Sequence, residues 1–206
     1  MLGFVATDAA VSQAALERLV ADAAAGSFNR VSVDGDTSTN DSFILLATGA
    51  ARRSDRSLLR EAVLEVSQGL AQSIVRDGEG ATKFITVRVE KGRNEDECAS
   101  VAYAIAHSPL VKTAWAGADP NWGRILAAAG RSGVALDPRR INIFFGDLQV
   151  CRGGVAATFD EREAHAYLTQ PQYDVRVQLG RGRASLDFLT CDLTTEYVHI
   201  NADYTT

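Results

Sequence analysis

A dense polar block at residues 34–41 constrains the fold more than any other feature of this sequence. It follows a short apolar run, Val31 to Val33, whose side chains alternate as they do in a strand. Within eight residues the block carries three carboxylates, one amide and three hydroxyls. Burying such groups without hydrogen-bond partners is costly, so backbone amides, a metal or a substrate must satisfy them.

Length and charge exclude several classes of function. A chain of 206 residues is long enough for one large domain or two small ones. The net charge of -5 and the scattered Lys and Arg residues argue against nucleic acid as the main partner. No apolar run is long enough to cross a bilayer, and the first residues do not resemble a signal peptide. We therefore expect a cytoplasmic protein without a membrane partner.

The cysteines and histidines do not predict a metal site. Cys98, Cys151 and Cys191 are widely spaced and odd in number, which is typical of small buried side chains in a reducing compartment. The three histidines also lack the spacing of metal ligands. We expect neither a disulfide nor a bound metal.

Hydrophobic periodicity predicts a mixed α/β (α+β) chain. The predicted helices run from Thr7 or Asp8 to Gly26, from Arg52 to Arg76, around Cys98 to Ile105, from the turn 119–124 to Gly130, and from Glu161 to Leu168. One predicted strand ends at Val33. The other predicted strands span Phe43 to Ala47, Ile85 to Val89, Leu110 to Trp115, Ile141 to Phe145 and Tyr197 to Ile200. The turn Gly180-Arg181-Gly182 predicts an antiparallel hairpin between Val175 to Leu179 and Ala184 to Phe188. This order favours stacked layers of sheet and helix.

The residue types in the polar block can be compared with those that two known kinds of site require. A calcium loop of the EF-hand type starting at Asp34 would need Gly at position 39 and Glu at position 45, where Thr and Leu stand. A phosphatase resembling the haloacid dehalogenases would use Asp34 as nucleophile and Asp36 as acid and base. The chain lacks the later acidic pair for magnesium, because Cys151 follows Asp147 at that spacing. The phosphatase remains an alternative.

Five sequence blocks resemble one known family in the order in which that family has them. They are Met1 to Ala9, Thr37 to Asp41 within the polar block, Asp77 to Lys83, Ser108 to Ala114 with Asp119 to Arg124, and Cys191 to Thr194 with the ending through Asn201 to Thr206. Together they span the whole chain. The sequence is similar to the β chain of the ornithine acetyltransferases, also called bifunctional glutamate N-acetyltransferases.

The resemblance implies a layered αββα sandwich and a specific reaction. In that family a precursor cleaves itself between an Ala and a Thr, and the new N-terminal Thr is the nucleophile. The resemblance places this Thr immediately before Met1, so no catalytic residue is expected within the 206 residues. Its own α-amine would act as the general base. The Thr would take an acetyl group from N-acetylornithine and pass it to glutamate, in arginine biosynthesis or a related secondary pathway, without a cofactor.

The resemblance also implies partners and substrate-binding residues. Residues 1–206 would form one site with the α chain of the precursor, in an α2β2 heterotetramer. Glu79 lies between two glycines, so its carboxylate is either a turn residue that caps the preceding helix or a group that binds a substrate ammonium. The resemblance favours binding and adds Asn201 and Thr206. A non-catalytic subunit with the same fold is the second alternative.

The remaining polar and aromatic residues are expected to play supporting roles. The polar block should hold the N-terminal segment in place through side chains that cap backbone amides. Asp119 to Arg124 predicts a capped helix start. Lys112, Trp115 and Trp122 are expected in packing or at the surface rather than in catalysis.

Overall fold

The computed structural model describes residues 1–51 and 55–204, which divide into two compact units. The first unit contains Met1–Val31 and Gly35–Ile74. The second contains Ser32–Asp34 and the chain from Val75 onward. No helix in either described stretch is both long and apolar enough to cross a membrane.

The first unit consists of two helices and two parallel strands. The strands are β1 (Leu2–Thr7) and β3 (Ser42–Ala47), and the helices are α1 (Gln13–Gly26) and α2 (Arg56–Arg76), whose last two residues belong to the second unit. The inward faces of the strands and helices supply a small buried core of Val5, Leu19, Ala23, Leu45 and Val63. This core fixes which face of each strand points inward, because side chains alternate along a strand.

The second unit is built on a seven-stranded mixed sheet. In chain order its strands are β2 (Val31–Ser32), β4 (Phe84–Gly92), β5 (Asn142–Phe145), β6 (Leu148–Arg152), β7 (Val155–Ala156), β8 (Gln172–Gln178) and β9 (Ala184–Cys191). The first residue of β2, Val31, belongs to the first unit. Their order across the sheet is β2-β9-β4-β8-β5-β6-β7. The central strand β4 is antiparallel to β9 and parallel to β8.

Helices cover the apolar face of this sheet. They are α3 (Glu95–Ala106), α4 (Pro109–Ala116), α5 (Trp122–Gly130) and α6 (Glu161–Leu168), and α7 (Thr195–Asp203) follows the last strand. Ile85, Val87 and Val89 alternate along β4 and are fully buried, and α3 packs against β4 and β9. Arg88, which lies between Val87 and Val89 in the sequence, forms a half-exposed ion pair with Asp187 at 2.7 Å. The strand predicted at Ile85 to Val89 is therefore confirmed, but it is more buried than predicted, because Thr86 is also buried at 8% exposed.

The predicted mixed α/β class is confirmed, but two predicted strands are helices. Residues 110–115 lie in α4, because Pro109 occupies the first helical turn and places Val111, Ala114 and Trp115 on one buried side. Residues 197–200 lie in α7, where the β-branched residues that suggested a strand are exposed. Helical spacing explains α4 better than alternation does, whereas α7 buries no residue that would reveal its period.

The predicted hairpin between β8 and β9 is also wrong, because β4 lies between these strands. The amides of Arg181 and Gly182 donate to the carbonyl of Lys91 at 2.7 and 2.8 Å, so the turn crosses the end of β4. Only glycine fits at position 182, since a Cβ there would lie 2.3 Å from the carbonyl oxygen of Gly92. The glycines thus serve a close crossing rather than a tight hairpin.

Other predicted boundaries shift or fall outside the described residues. Helix α1 begins after Ser12 rather than after Thr7 or Asp8, and the strand expected to end at Val33 ends at Ser32. Strands β1, β6 and β7 were not predicted. Arg52, the expected start of α2, lies outside the described residues. Asn121 does cap α5, since its side chain accepts from the amide of Arg124.

Candidate functional site

Glu79 lies in the connection between α2 and β4, which we call the Glu79 loop (residues 77–83). The loop is tight: the amide of Gly78 donates to the carbonyl of Val75 at 3.3 Å, and that of Ala81 to the carbonyl of Gly78 at 3.0 Å. Gly80 has a φ of 65°, and a Cβ there would lie 2.5 Å from the backbone nitrogen of Tyr197. Glycine therefore lets the Glu79 loop lie directly against the start of α7.

The structure brings together two of the three residues expected to bind substrate. The side-chain amide of Asn201, on α7, donates to Oε2 of Glu79 at 2.7 Å and to the backbone carbonyl of Tyr197 at 2.9 Å. Glu79 and Asn201 are both exposed. Because the second carboxylate oxygen of Glu79 has no bond to Asn201, the pair offers an acceptor to a ligand on the surface. Thr206, the third expected residue, lies outside the described residues.

Tyr197 connects a second carboxylate, that of Asp34, to this cluster. Its hydroxyl donates to Oδ2 of Asp34 at 3.0 Å, while its carbonyl accepts from Asn201. Asp34 was singled out from the sequence, but Tyr197 was placed in a strand and its contact was missed. Because α7 buries no residue, its sequence carries no apolar period that would have predicted a helix there.

Asp192 is the most highly bonded carboxylate near Glu79, and sequence reasoning assigned it no role. Its Oδ1 accepts from the amides of Thr82 and Lys83 at 2.8 and 3.0 Å, and its Oδ2 accepts from the hydroxyl of Thr82 at 2.5 Å. The residue is only 3% exposed. Nearby, the hydroxyl of Thr194 donates to the carbonyl of Gly80 at 2.7 Å.

Two lysines fix helix α4 to this region. Lys112 is buried, and its ammonium donates to the hydroxyl of Thr190 at 3.0 Å and to the carbonyl of Cys191. Burial lowers the pKa of Lys112 from its ordinary value, and its contact with Cys191 and the charge of Asp192 oppose this effect. Burial likewise lowers the pKa of Lys83, whose ammonium binds the last carbonyls of α4 at Trp115 and Ala116. The expectation of a packing role for Lys112 agrees with these contacts.

In the first unit, the polar block contacts the start of the chain. Oδ2 of Asp41 accepts from the amide of Ser38 at 3.0 Å, and the amide of the next residue, Ser42, donates to the carbonyl of Met1 at 3.0 Å. The amide of Asn40 donates to the hydroxyl of Ser38 at 3.1 Å. These contacts agree with the expectation that the block holds the N-terminal segment through capped amides.

The structure gives the phosphatase alternative no support. Asp34 and Asp36 are exposed and follow a two-residue strand at the edge of the sheet. Among residues 1–51 and 55–204, no group of three or more His, Cys, Asp or Glu side chains is arranged to hold a metal ion. The three cysteines are buried, as the sequence predicts.

Comparison with known proteins identifies one family. A model of the ArgJ family matches residues 1–206. The chain is 51% identical to the arginine biosynthesis bifunctional protein ArgJ of Pseudomonas fluorescens and 50% identical to that of Pseudomonas syringae pv. tomato. Each match covers 100% of this chain and 53% of the relative. The chain therefore spans about half the length of these relatives.

A solved structure agrees with the sequence matches. The crystal structure of the arginine biosynthesis bifunctional protein from Bacillus halodurans superposes with a TM-score of 0.94 and is 40% identical in sequence. The match covers 99% of this chain and 100% of the solved chain. It confirms the fold class expected from the sequence.

Proposed function

Because this chain belongs to the ArgJ family, we propose that it forms part of an acetyltransferase that moves an acetyl group from N-acetylornithine to glutamate. The two relatives at about 50% identity are named as bifunctional proteins of arginine biosynthesis. Our proposal places this chain in the same pathway, in the cytoplasm. The main observation that supports a substrate-binding site on this chain is the contact between Glu79 and Asn201 at 2.7 Å.

We propose that the nucleophile is a threonine immediately before Met1, released when a longer precursor cleaves itself. Its hydroxyl oxygen attacks the acetyl carbonyl carbon, its own α-amine takes the hydroxyl proton, and the amine of ornithine leaves with a proton. The amine of glutamate then attacks the acetyl-threonine ester, and the threonine hydroxyl is restored. The coverage of 53% of each relative supports a precursor about twice as long as this chain.

We propose that Glu79 and Asn201 bind the amino-acid substrate. A carboxylate attracts the ammonium group that ornithine derivatives carry, and a charged hydrogen bond is stronger than a neutral one. The Asn201 amide holds one oxygen of Glu79, which orients the other. Thr206 is the third residue that we assign to this role, on the basis of the family resemblance.

The partner that we propose is the α chain of the same precursor, in an α2β2 assembly. One face of the β1–β3 pair exposes Leu2, Phe4 and Leu46, whose exposed fractions are 65%, 60% and 54%. A two-stranded parallel sheet rarely leaves such a face open to water, so a covering chain would stabilise it. On this proposal residues 1–206 and the α chain form one site, and the chain made alone is inactive.

The variant Glu79→Gln, made in the full-length precursor, tests the substrate-binding role. It keeps the shape of the side chain and removes its charge, and we expect the KM for N-acetylornithine to rise about tenfold to a hundredfold. Asp77→Asn is the matched control, because it removes a charge from the same loop without touching Asn201. Steady-state kinetics measure both, and an unchanged KM in Glu79→Gln would contradict the assignment.

A further inference from the structure

We propose that Asp192 is a positioning residue that holds Glu79 in its substrate-binding orientation by fixing the Glu79 loop to the segment that carries Asn201. This inference rests on the proposed function, since it concerns the same substrate-binding pair. It assigns a role to a residue that contacts no substrate.

The bonds of Asp192 are concentrated on one short stretch of backbone. Both of its oxygens are used: Oδ1 by the amides of Thr82 and Lys83, and Oδ2 by the Thr82 hydroxyl. A carboxylate that accepts several hydrogen bonds in a buried place fixes the groups that donate them, because breaking them leaves a buried charge unsatisfied. Residues 82–83, which end the Glu79 loop, are therefore held in place.

The position of Asp192 in the chain links both members of the binding pair. It lies directly after β9 and three residues before α7, the helix that carries Asn201. Thr194, between Asp192 and α7, binds the carbonyl of Gly80 at 2.7 Å. Two contacts thus join the segment 192–194 to the Glu79 loop on either side of Ala81. If the loop moved, Glu79 would lose its partner on α7.

The opposite side of this segment is also fixed. The amide of Leu193 donates to the carbonyl of Lys112 at 3.2 Å, and the Lys112 ammonium binds the carbonyl of Cys191. Asp192 is therefore held by its neighbours in sequence and transmits that rigidity to the Glu79 loop. Its burial, at 3% exposed, rules out direct contact with a ligand on the surface. This arrangement therefore supports a role in which Asp192 acts through Glu79.

A double-mutant cycle in the full-length precursor tests this role. The variants are Asp192→Asn, Glu79→Gln and both together, with the KM and kcat for N-acetylornithine as readouts. If Asp192 acts through Glu79, Asp192→Asn raises KM about threefold to tenfold in the otherwise unaltered protein and adds nothing once Glu79 is Gln. Asp160→Asn is the matched control, since Asp160 accepts from the amide of Arg162 at 2.8 Å on α6.

The outcomes separate this inference from the proposed function. If Glu79→Gln raises KM and Asp192→Asn does not, or if the two increases multiply in the double variant, the positioning role is overturned and the proposed function stands. If Glu79→Gln leaves KM unchanged, both are overturned. Should Asp192→Asn fail to fold, Thr82→Val replaces it in the same cycle, because it removes the 2.5 Å bond to Oδ2 alone.

Discussion

Gly80 is the residue on which the approach of the Glu79 loop to α7 depends most directly. Its φ of 65° is costly for other residues, and the space for a Cβ is occupied by the backbone of Glu196 and Tyr197. The sequence shows a glycine on each side of Glu79, which predicts a tight connection. It does not show that one of them faces a helix more than 100 residues later in the chain.

The variant Gly80→Ala should separate Glu79 from Asn201. We expect a loss of about 1–3 kcal/mol in the free energy of unfolding from the strained φ, and a rise of about tenfold in the KM for N-acetylornithine. Urea denaturation and steady-state kinetics measure the two effects. Gly69→Ala on α2 is the control, because a Cβ there meets nothing within 4 Å. If the two variants behave alike, the close approach at Gly80 has no consequence for binding.

Helices α4 and α7 show how a local run of residues can predict the wrong element. Both carry runs of β-branched or aromatic residues that suit a strand, and tertiary contacts decide in favour of a helix. In α4, Pro109 and the buried side formed by Val111, Ala114 and Trp115 favour the helix, and Lys83 binds its last carbonyls. The pairing of β8 and β9 with β4 was likewise beyond local reasoning, because it depends on a crossing at Gly182.

Lys112 joins α4 to β9, and its burial predicts a pH-dependent contribution to the free energy of unfolding. Burial lowers the pKa of Lys112 below its ordinary value of 10.5, so the unfolded chain binds more protons between the folded pKa and 10.5. The free energy of unfolding therefore rises with pH across that window. Lys112→Met lacks this titration, so the wild type should gain stability relative to the variant as pH rises towards 10.5.

Urea denaturation of the precursor at several alkaline pH values measures this difference. Lys91→Met, which changes an exposed lysine on β4, is the control for removal of a positive charge. Both proteins are compared with Cys191→Ser in place, because burial raises the thiol pKa of Cys191 while Lys112 lowers it, so its titration would otherwise differ between them. A difference between wild type and Lys112→Met that stays constant with pH would contradict the account.

At the scale of the whole molecule, family resemblance supplied what residue patterns could not. Periodicity predicts the mixed α/β class, the central strand β4 and helices α3 and α6, because each buries one regular face. The contact of Glu79 with Asn201 joins residues 122 positions apart, and no local rule predicts it. The ordered sequence blocks did select both residues. The same blocks point to a nucleophile that lies outside these 206 residues.

The most direct test of the account is to locate the acetyl group during turnover. The mature protein is incubated with N-acetylornithine in the absence of glutamate, quenched, and analysed by peptide mass spectrometry. We predict one acetyl group on an N-terminal threonine that directly precedes Met1, and its loss when glutamate is added. A mature chain that begins at Met1, or one that gains no acetyl group at its N-terminus, would contradict the acetyl-threonine mechanism and favour a non-catalytic subunit.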